Sequence, residues 1–368
     1  MNPLKKSVFV AATMSLMFLT ACGGGNPSTP TTQTYSVSFD ANGGSSVMAH
    51  KVQQGEAIST SPATTRTGYT FDGWYASSNF SGSPVTFPYT AAGNITLYAK
   101  WTPLGNNGGF TTIDRYPNAD YTWLYGINDL GQIVGEFEDW EGILVKSSGS
   151  FLKDGGNYTA IDYPGANDVR AYGINNSGQI VGYYSASYIY HGFLKNGGNY
   201  TAIDYPGAQA TAAYGINNSG QIVGYYSDSS NMAHGFLKDG GSYTAINYLG
   251  ATKTEAWGIN DSGEIVGYYL DSSNMAHGFV KNGGSYTAIN YPGATETYAY
   301  GINNSGQIVG YYRDSSGTDH GFLKDGGSYI AIDHPNNKGG TGAYGINNLG
   351  QIVGDYGGAD GNVHGFLL

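Results

Sequence analysis

The stretch "GINNSGQIVG" occupies Gly173–Gly182 and returns, whole or nearly so, five more times. Its opening glycine falls at positions 126, 173, 215, 258, 301 and 345, at intervals of 47, 42, 43, 43 and 44 residues. A period of roughly 40–45 residues built from short strands is that of propeller blades. No segment carries apolar residues at helical spacing. One unit, Ala213–Tyr248, reads as four strands: AYGIN, QIVGYY, AHGFLK and SYTAIN. They are short and rich in Ile, Val, Phe and Tyr, as strands covered on both faces are.

The turns order the strands. "DGG" or "NGG" between HGFLK and YTAI is a tight-hairpin signal, and "NNSG" between GIN and QIVG is another. Two longer, variable connections remain: the Pro-containing segment after YTAI, and the loop after GYY. With the Pro segment as the crossover between blades, the blade runs from AYGIN (inner) through QIVGYY and HGFLK to YTAI (outer). The region opens on a lone outer-type strand, Gly109–Pro117, and ends on a third-type strand, His364–Leu368. The expected fold is therefore all-β: a six-bladed β-propeller whose N-terminal strand closes the last blade, preceded by a smaller module.

Composition sets the class. Of 368 residues, 59 are Gly and 33 Tyr, which suits a turn-dense β protein rather than a disordered one. The net charge of −11 and the scattered Lys and Arg argue against nucleic acid as a partner. At the N-terminus, Lys5 and Lys6 precede an apolar run from Val8 to Leu19, too short for a relaxed membrane span. The run ends in "LTAC", which resembles the lipobox of bacterial lipoproteins. The resemblance implies lipidation of Cys22, the single cysteine, and attachment to a membrane through that lipid. The chain then divides into a signal peptide (1–21), a Gly/Pro/Ser/Thr-rich tether (22–33), a small module (34–102), a linker (103–109) and the six repeats (110–368).

The small module carries "YSVSFDANGG", "GYTFDGWY" and "NITLYAKW". These resemble the internalin-type B-repeat, the Listeria–Bacteroides repeat of bacterial surface proteins. The matching positions include Phe39, Gly43, Gly44, Trp74, Tyr98 and Trp101. The resemblance implies a β-grasp-like module that serves as a stalk or contact unit. A module this small must fill its core with a few large rings, so Trp74 and Trp101 read as core.

"GINNSGQIVG" followed by "HGFL" resembles the HAF-type extracellular repeats of bacterial secreted proteins. The middle residue here is Gly, and the first unit, "GSFLKDGG", lacks the His. The resemblance implies an extracellular location and no defined activity. His191, His234, His277, His320 and His364 recur at one spacing, but equivalent positions spread around a ring cannot share one ion, so a structural role is expected and no metal or cofactor. Asn-Asn-Ser-Gly lacks the acidic ligands of a calcium loop and reads as turn chemistry. Its sixfold repetition argues against a site, because one ligand has no use for six copies pointing away from one another.

Function is expected where the copies differ, on the long loops of one face. That face holds Trp140 in the first blade, Tyr188 and Tyr190 in the second, Asp271 and Asp314 further round, and Arg115, Arg170 and Arg313. Aromatic rings beside Asp and Arg suit a glycan or an extracellular protein loop. The expected function is a monomeric, lipid-anchored surface binding protein. One alternative is a polysaccharide hydrolase or lyase, with Glu138 and Glu141 as the carboxylate pair; another is an envelope scaffold with no discrete ligand. No Ser-His-Asp order, phosphate loop or dinucleotide motif is present.

Overall fold

A computed structural model describes residues 33–64, 66, 69–103, 109–114, 119–142 and 144–368. The described residues form strands and turns without a helix. Cys22 and Arg115 lie outside them.

The N-terminal module contains β1 (Thr34–Asp40), β2 (His50–Gln53), β3 (Ala57–Ile58), β4 (Tyr69–Tyr75), β5 (Tyr89–Thr90) and β6 (Ile95–Pro103). The main sheet has the order β2-β1-β6-β4, with β1 and β6 parallel. Val37, Leu97, Ala99 and Trp74 form its buried centre. The Trp74 indole N–H donates to the Pro62 carbonyl, and that of the half-buried Trp101 to the Ala41 carbonyl. Both rings thus bring apolar bulk into a small core while their one polar atom stays bonded.

The second to fifth repeats each form a four-stranded antiparallel sheet in simple chain order. In the second repeat the strands are Asp168–Ile174, Ile180–Ala186, Ile189–Asn196 and Asn199–Ile203. The sixth has three strands of its own, Thr341–Ile346, Ile352–Gly357 and Val363–Leu367. Beside the last of these lies β7, Thr111–Ile113, antiparallel, with Ile113 opposite Gly365. Each repeat contributes one fully buried phenylalanine: Phe151, Phe193, Phe236, Phe279, Phe322 and Phe366. The cores join neighbours. Val134 of the first repeat packs with Phe193 of the second, and Val353 of the sixth with Phe151 of the first.

The repeated stretch explains how the first strands meet. In every repeat the register between first and second strands slips by one residue, at Tyr125, Tyr172, Tyr214, Trp257, Tyr300 and Tyr344. An extra residue at a β-bulge is unpaired and re-aims its side chain. The glycine that follows is needed for approach: a Cβ on Gly173 would stand 2.6 Å from the Tyr214 carbonyl oxygen of the next repeat. Only a residue without a side chain lets the strands come that close.

The first Asn of each Asn-Asn or Asn-Asp pair then locks the strands together. Its Oδ1 accepts two groups of its own turn: backbone N–H groups in five repeats, Ser177 and Gln179 for Asn175, and for Asn260 the Ser262 hydroxyl with the Glu264 N–H. Its Nδ2 donates to the glutamine or glutamate four residues on and to the backbone carbonyl of the equivalent Asn in the next repeat. These inter-repeat bonds run Asn128, Asn175, Asn217, Asn260, Asn303, Asn347, and Asn347 donates to the carbonyl of Asn128. Every one of these donors is buried, where an unmade hydrogen bond costs about 1–3 kcal/mol. Asn217→Ala frees two turn N–H groups and the Asn260 carbonyl at once, so a loss of about 1–3 kcal/mol or more is expected in denaturant unfolding, with little change at the exposed Asn218 position.

Candidate functional site

The two ends of the repeat region differ in chemistry. At the tight-turn end, the Ile-Asn-Asn or Ile-Asn-Asp residues of all six repeats line one small space of about 70 Å³. The sixfold stretch therefore converges on an axis; the expectation that its copies point away from one another is corrected. The reason is the close approach that the glycines allow.

Convergence does not leave free ligands there. The second residue of each pair takes a backbone N–H from the preceding repeat in an unbroken series, ending with Asn348 N–H to Asp129. Asp129 also accepts the side-chain amides of Asn176 and Asn348, and Asp261 those of Asn218 and Asn304. Burial pushes both carboxyls up, but these bonds outweigh it and hold them below the usual carboxylate range.

Further along the axis stand the six bulge aromatics. Neighbouring rings lie 3.7 to 5.7 Å apart, from Tyr125 through Tyr172, Tyr214, Trp257, Tyr300 and Tyr344 back to Tyr125. This aromatic layer separates the satisfied turns from the loop end.

Above it, two positions per repeat vary. On the first strand they read Trp123, Arg170, Ala212, Glu255, Tyr298 and Gly342; opposite them on the second strand stand Glu136, Tyr183, Tyr225, Tyr268, Tyr311 and Asp355. Glu136 is buried, accepts the Tyr125 hydroxyl and pairs with Arg170 at 3.0 Å. Its carboxyl is raised by burial, with Arg170 opposing. Glu255 pairs with Lys253 at 2.7 Å and accepts the Trp257 indole N–H. Among the described residues Asp355 has no cationic partner. Burial is the main cause that pushes its carboxyl up to about 7, against a hydrogen bond from Tyr344.

Beside Asp355 the rim of the axis opens. A cavity of about 180 Å³ is lined by Tyr311, Asp319, Thr341, Tyr344, Asp355, Val363 and four glycines of the sixth repeat, Gly339, Gly340, Gly342 and Gly357. Where Gly340 and Gly342 stand, the fifth repeat has Glu296 and Tyr298, and Gly357 replaces Arg313. A Cβ on Gly342 would lie 2.5 Å from the Tyr344 hydroxyl oxygen and 3.0 Å from an Asp355 carboxylate oxygen. The cavity exists because this repeat has shed the side chains with which others fill the rim.

Comparison with known proteins bears on the N-terminal module. Residues 35–100 match the Listeria-Bacteroides repeat domain. A protein named as Gly-rich and membrane-bound, from Evansella cellulosilytica, is 36% identical over 67 residues, 18% of this chain and 8% of that protein. The chain thus spans less than a tenth of that relative. Solved structures similar to the chain include a mutant of the Aleuria aurantia lectin in complex with Fucα1-6GlcNAc (13% identity, TM-score 0.45, 68% of this chain and 93% of that one). Others are AofleA from Arthrobotrys oligospora (12%, 0.47, 71% and 86%) and TolB from Acinetobacter baumannii (12%, 0.45, 68% and 64%). None of the residues lining the cavity belongs to the N-terminal module.

The candidates read from the sequence fall into three groups. Arg170 meets Glu136, Glu138 at 3.9 Å and Asp168 at 3.4 Å, and Tyr190 packs on Tyr183, the residue opposite Arg170. Arg313 binds Glu296 and, with two nitrogens, Asp319, through which it borders the cavity. Trp140, near the end of the strand Ile133–Glu141, and Tyr188, in a turn, stand further out, 39% and 96% exposed. Asp271 and Asp314 are committed to their own loops: each Oδ1 accepts two loop N–H groups and each Oδ2 faces the repeat's histidine at 3.4 Å. Glu141 is exposed, three residues beyond Glu138, which lies 3.9 Å from Arg170.

The histidines are structural bridges. His320 ties Asp314 of the loop to Asp333 after the outer strand, and stacks on Tyr312, which itself stacks on Tyr291 from the preceding crossover. Missed by the loop-based reading were Glu136, Glu255, Asp355 and the glycine-lined cavity. For Glu136 and Asp355 the signal is present: the residue after "IVG" is Tyr in four repeats, Glu in the first and Asp in the last.

A buried acid whose folded pKa is raised stabilises only at low pH: its contribution is full below the ordinary carboxyl range near 4 and is lost as pH rises through about 7. Asp355→Asn removes that dependence. Thermal melts at pH 5 and pH 8 are expected to show a smaller fall in Tm for the variant than for the parent chain, with the variant the more stable at pH 8.

Proposed function

We propose that this chain is a lipid-anchored bacterial cell-surface binding protein, in which residues 110–368 form a closed six-bladed β-propeller that recognises a glycan at its loop end. One observation carries the reading: the polar atoms of the turn end are taken up within the ring, whereas the loop end combines exposed rings, carboxylates and a cavity. Stacking on Trp140, Tyr188 or Tyr190 and hydrogen bonds to Asp or Arg are the means by which a protein holds a polar, hydroxyl-rich ligand. Closure of the ring is supported by the pairing of Thr111–Ile113 with the sixth repeat and by the Asn347–Asn128 bond. Anchoring is supported by "LTAC" and by the tether after Cys22, and the repeat domain would act as spacer between lipid and propeller.

Binding of the full-length chain to an immobilised glycan array tests the recognition. At least one glycan class is expected to bind, with a tenfold or greater loss in Tyr190→Ala or Trp140→Ala and no loss in Leu349→Ala at the turn end. Absence of all binding, or dependence on Leu349 instead of the loop-end rings, overturns the reading. For the anchor, Cys22→Ser is expected to move the chain from the detergent phase to the aqueous phase of a Triton X-114 partition.

A further inference from the structure

The sixth-repeat cavity has a composition unlike the rest of the mouth. Elsewhere at the loop end the buried Glu136 and Glu255 and the partly buried Glu296 each have a cation beside them: Arg170, Lys253 and Arg313 respectively. Asp319, on the cavity wall, is held by the same Arg313. Asp355 faces the same cavity without such a partner, and among the described residues none that line it is Lys, Arg or His. An ionised group left in that position without a counter-ion is costly, and the cost is removed when a cation arrives from outside.

Space and aromatic lining suit such an arrival. The cavity is about 180 Å³, and Tyr311 and Tyr344 both line it. Ring faces attract an ammonium group, and a carboxylate bonds to it with charge-assisted hydrogen bonds. The glycines Gly340, Gly342 and Gly357 keep the entrance open where other repeats carry Lys253, Glu296, Tyr298 or Arg313. The place occupied within the protein by Arg170 or Lys253 is here left for a ligand.

We propose that this cavity binds the protonated amine of a small ligand, such as a 2-amino sugar or an alkyl diamine, with Asp355 as its counter-ion. The inference rests on the loop end being the recognition surface, and it names the chemistry of one subsite there. An amino sugar and an alkyl amine share the group recognised and differ in the body that must fit between Tyr311 and Val363.

Isothermal titration of the full-length chain at pH 7 with glucosamine, glucose, N-acetylglucosamine and putrescine separates the possibilities. Glucosamine, putrescine or both are expected to bind at least tenfold more tightly than glucose and N-acetylglucosamine, and the stronger of the two identifies the ligand body. Asp355→Asn, nearly identical in shape, is expected to abolish that preference. Equal affinity for glucosamine and glucose, or amine binding unchanged in a folded Asp355→Asn variant, overturns the proposal. The comparison among ligands on the parent chain decides the matter even if the variant does not fold. Loop-end binding of neutral glycans on the array without any amine preference removes this inference alone; no binding of any kind removes the broader reading with it.

Discussion

Six asparagine side chains, each donating to the backbone of the next repeat, hold the centre of this protein together. A carboxamide has two donors and two acceptor positions. Here Oδ1 closes its own turn with two hydrogen bonds, one Nδ2 hydrogen caps the residue four positions on, and the other reaches across to the neighbour. No hydrogen-bonding capacity is left over. Serine is too short to bridge both strands, and aspartate lacks the donor. The bond also requires the strands to be near, which is why a glycine two residues earlier must carry no side chain. Bulge, glycine and asparagine act as one device, and losing any of them strands the others.

That device fixes what the rest of the surface can be. With the first strands pinned at the turn end and the bulge aromatics packed ring to ring above it, the inner positions beyond them are free to vary without disturbing the core. The phenylalanines and valines between sheets carry the packing, while the Tyr–Tyr–His stacks and the His–carboxylate bridges tie the loops to the sheets. Variation is thereby confined to the loop end, where it produces ion pairs in some repeats and a void in the last.

Much of this architecture is legible in single residues. The tight-turn signals "NNSG" and "DGG" predict which strands are neighbours, and the sheets of the second to fifth repeats have that order. The recurring histidine reads as structural from its absence of metal-site spacing, and it bridges loop and strand. The candidate site was less legible. Asp271 and Asp314 look available in the sequence, yet their oxygens are engaged by N–H groups two and four residues on. Asp355 looks like an ordinary strand residue. Its significance depends on Gly340, Gly342 and Gly357 being together around it, and residues on separate strands show no such adjacency in a linear reading.

The sequence by itself determined the repeat, its strand pattern and the separation of short turns from long loops, because those follow from local backbone preferences and from short runs of β-branched and aromatic residues. Only the tertiary structure decided that the six Asn-Asn or Asn-Asp pairs converge on one axis, that their polar atoms satisfy one another there, and that an acidic group with no cation beside it among the described residues faces a cavity at the opposite end. Each of these is a relation between repeats. Convergence is set by how closely glycine lets neighbouring backbones approach, and the cavity by which side chains are missing where several strands meet.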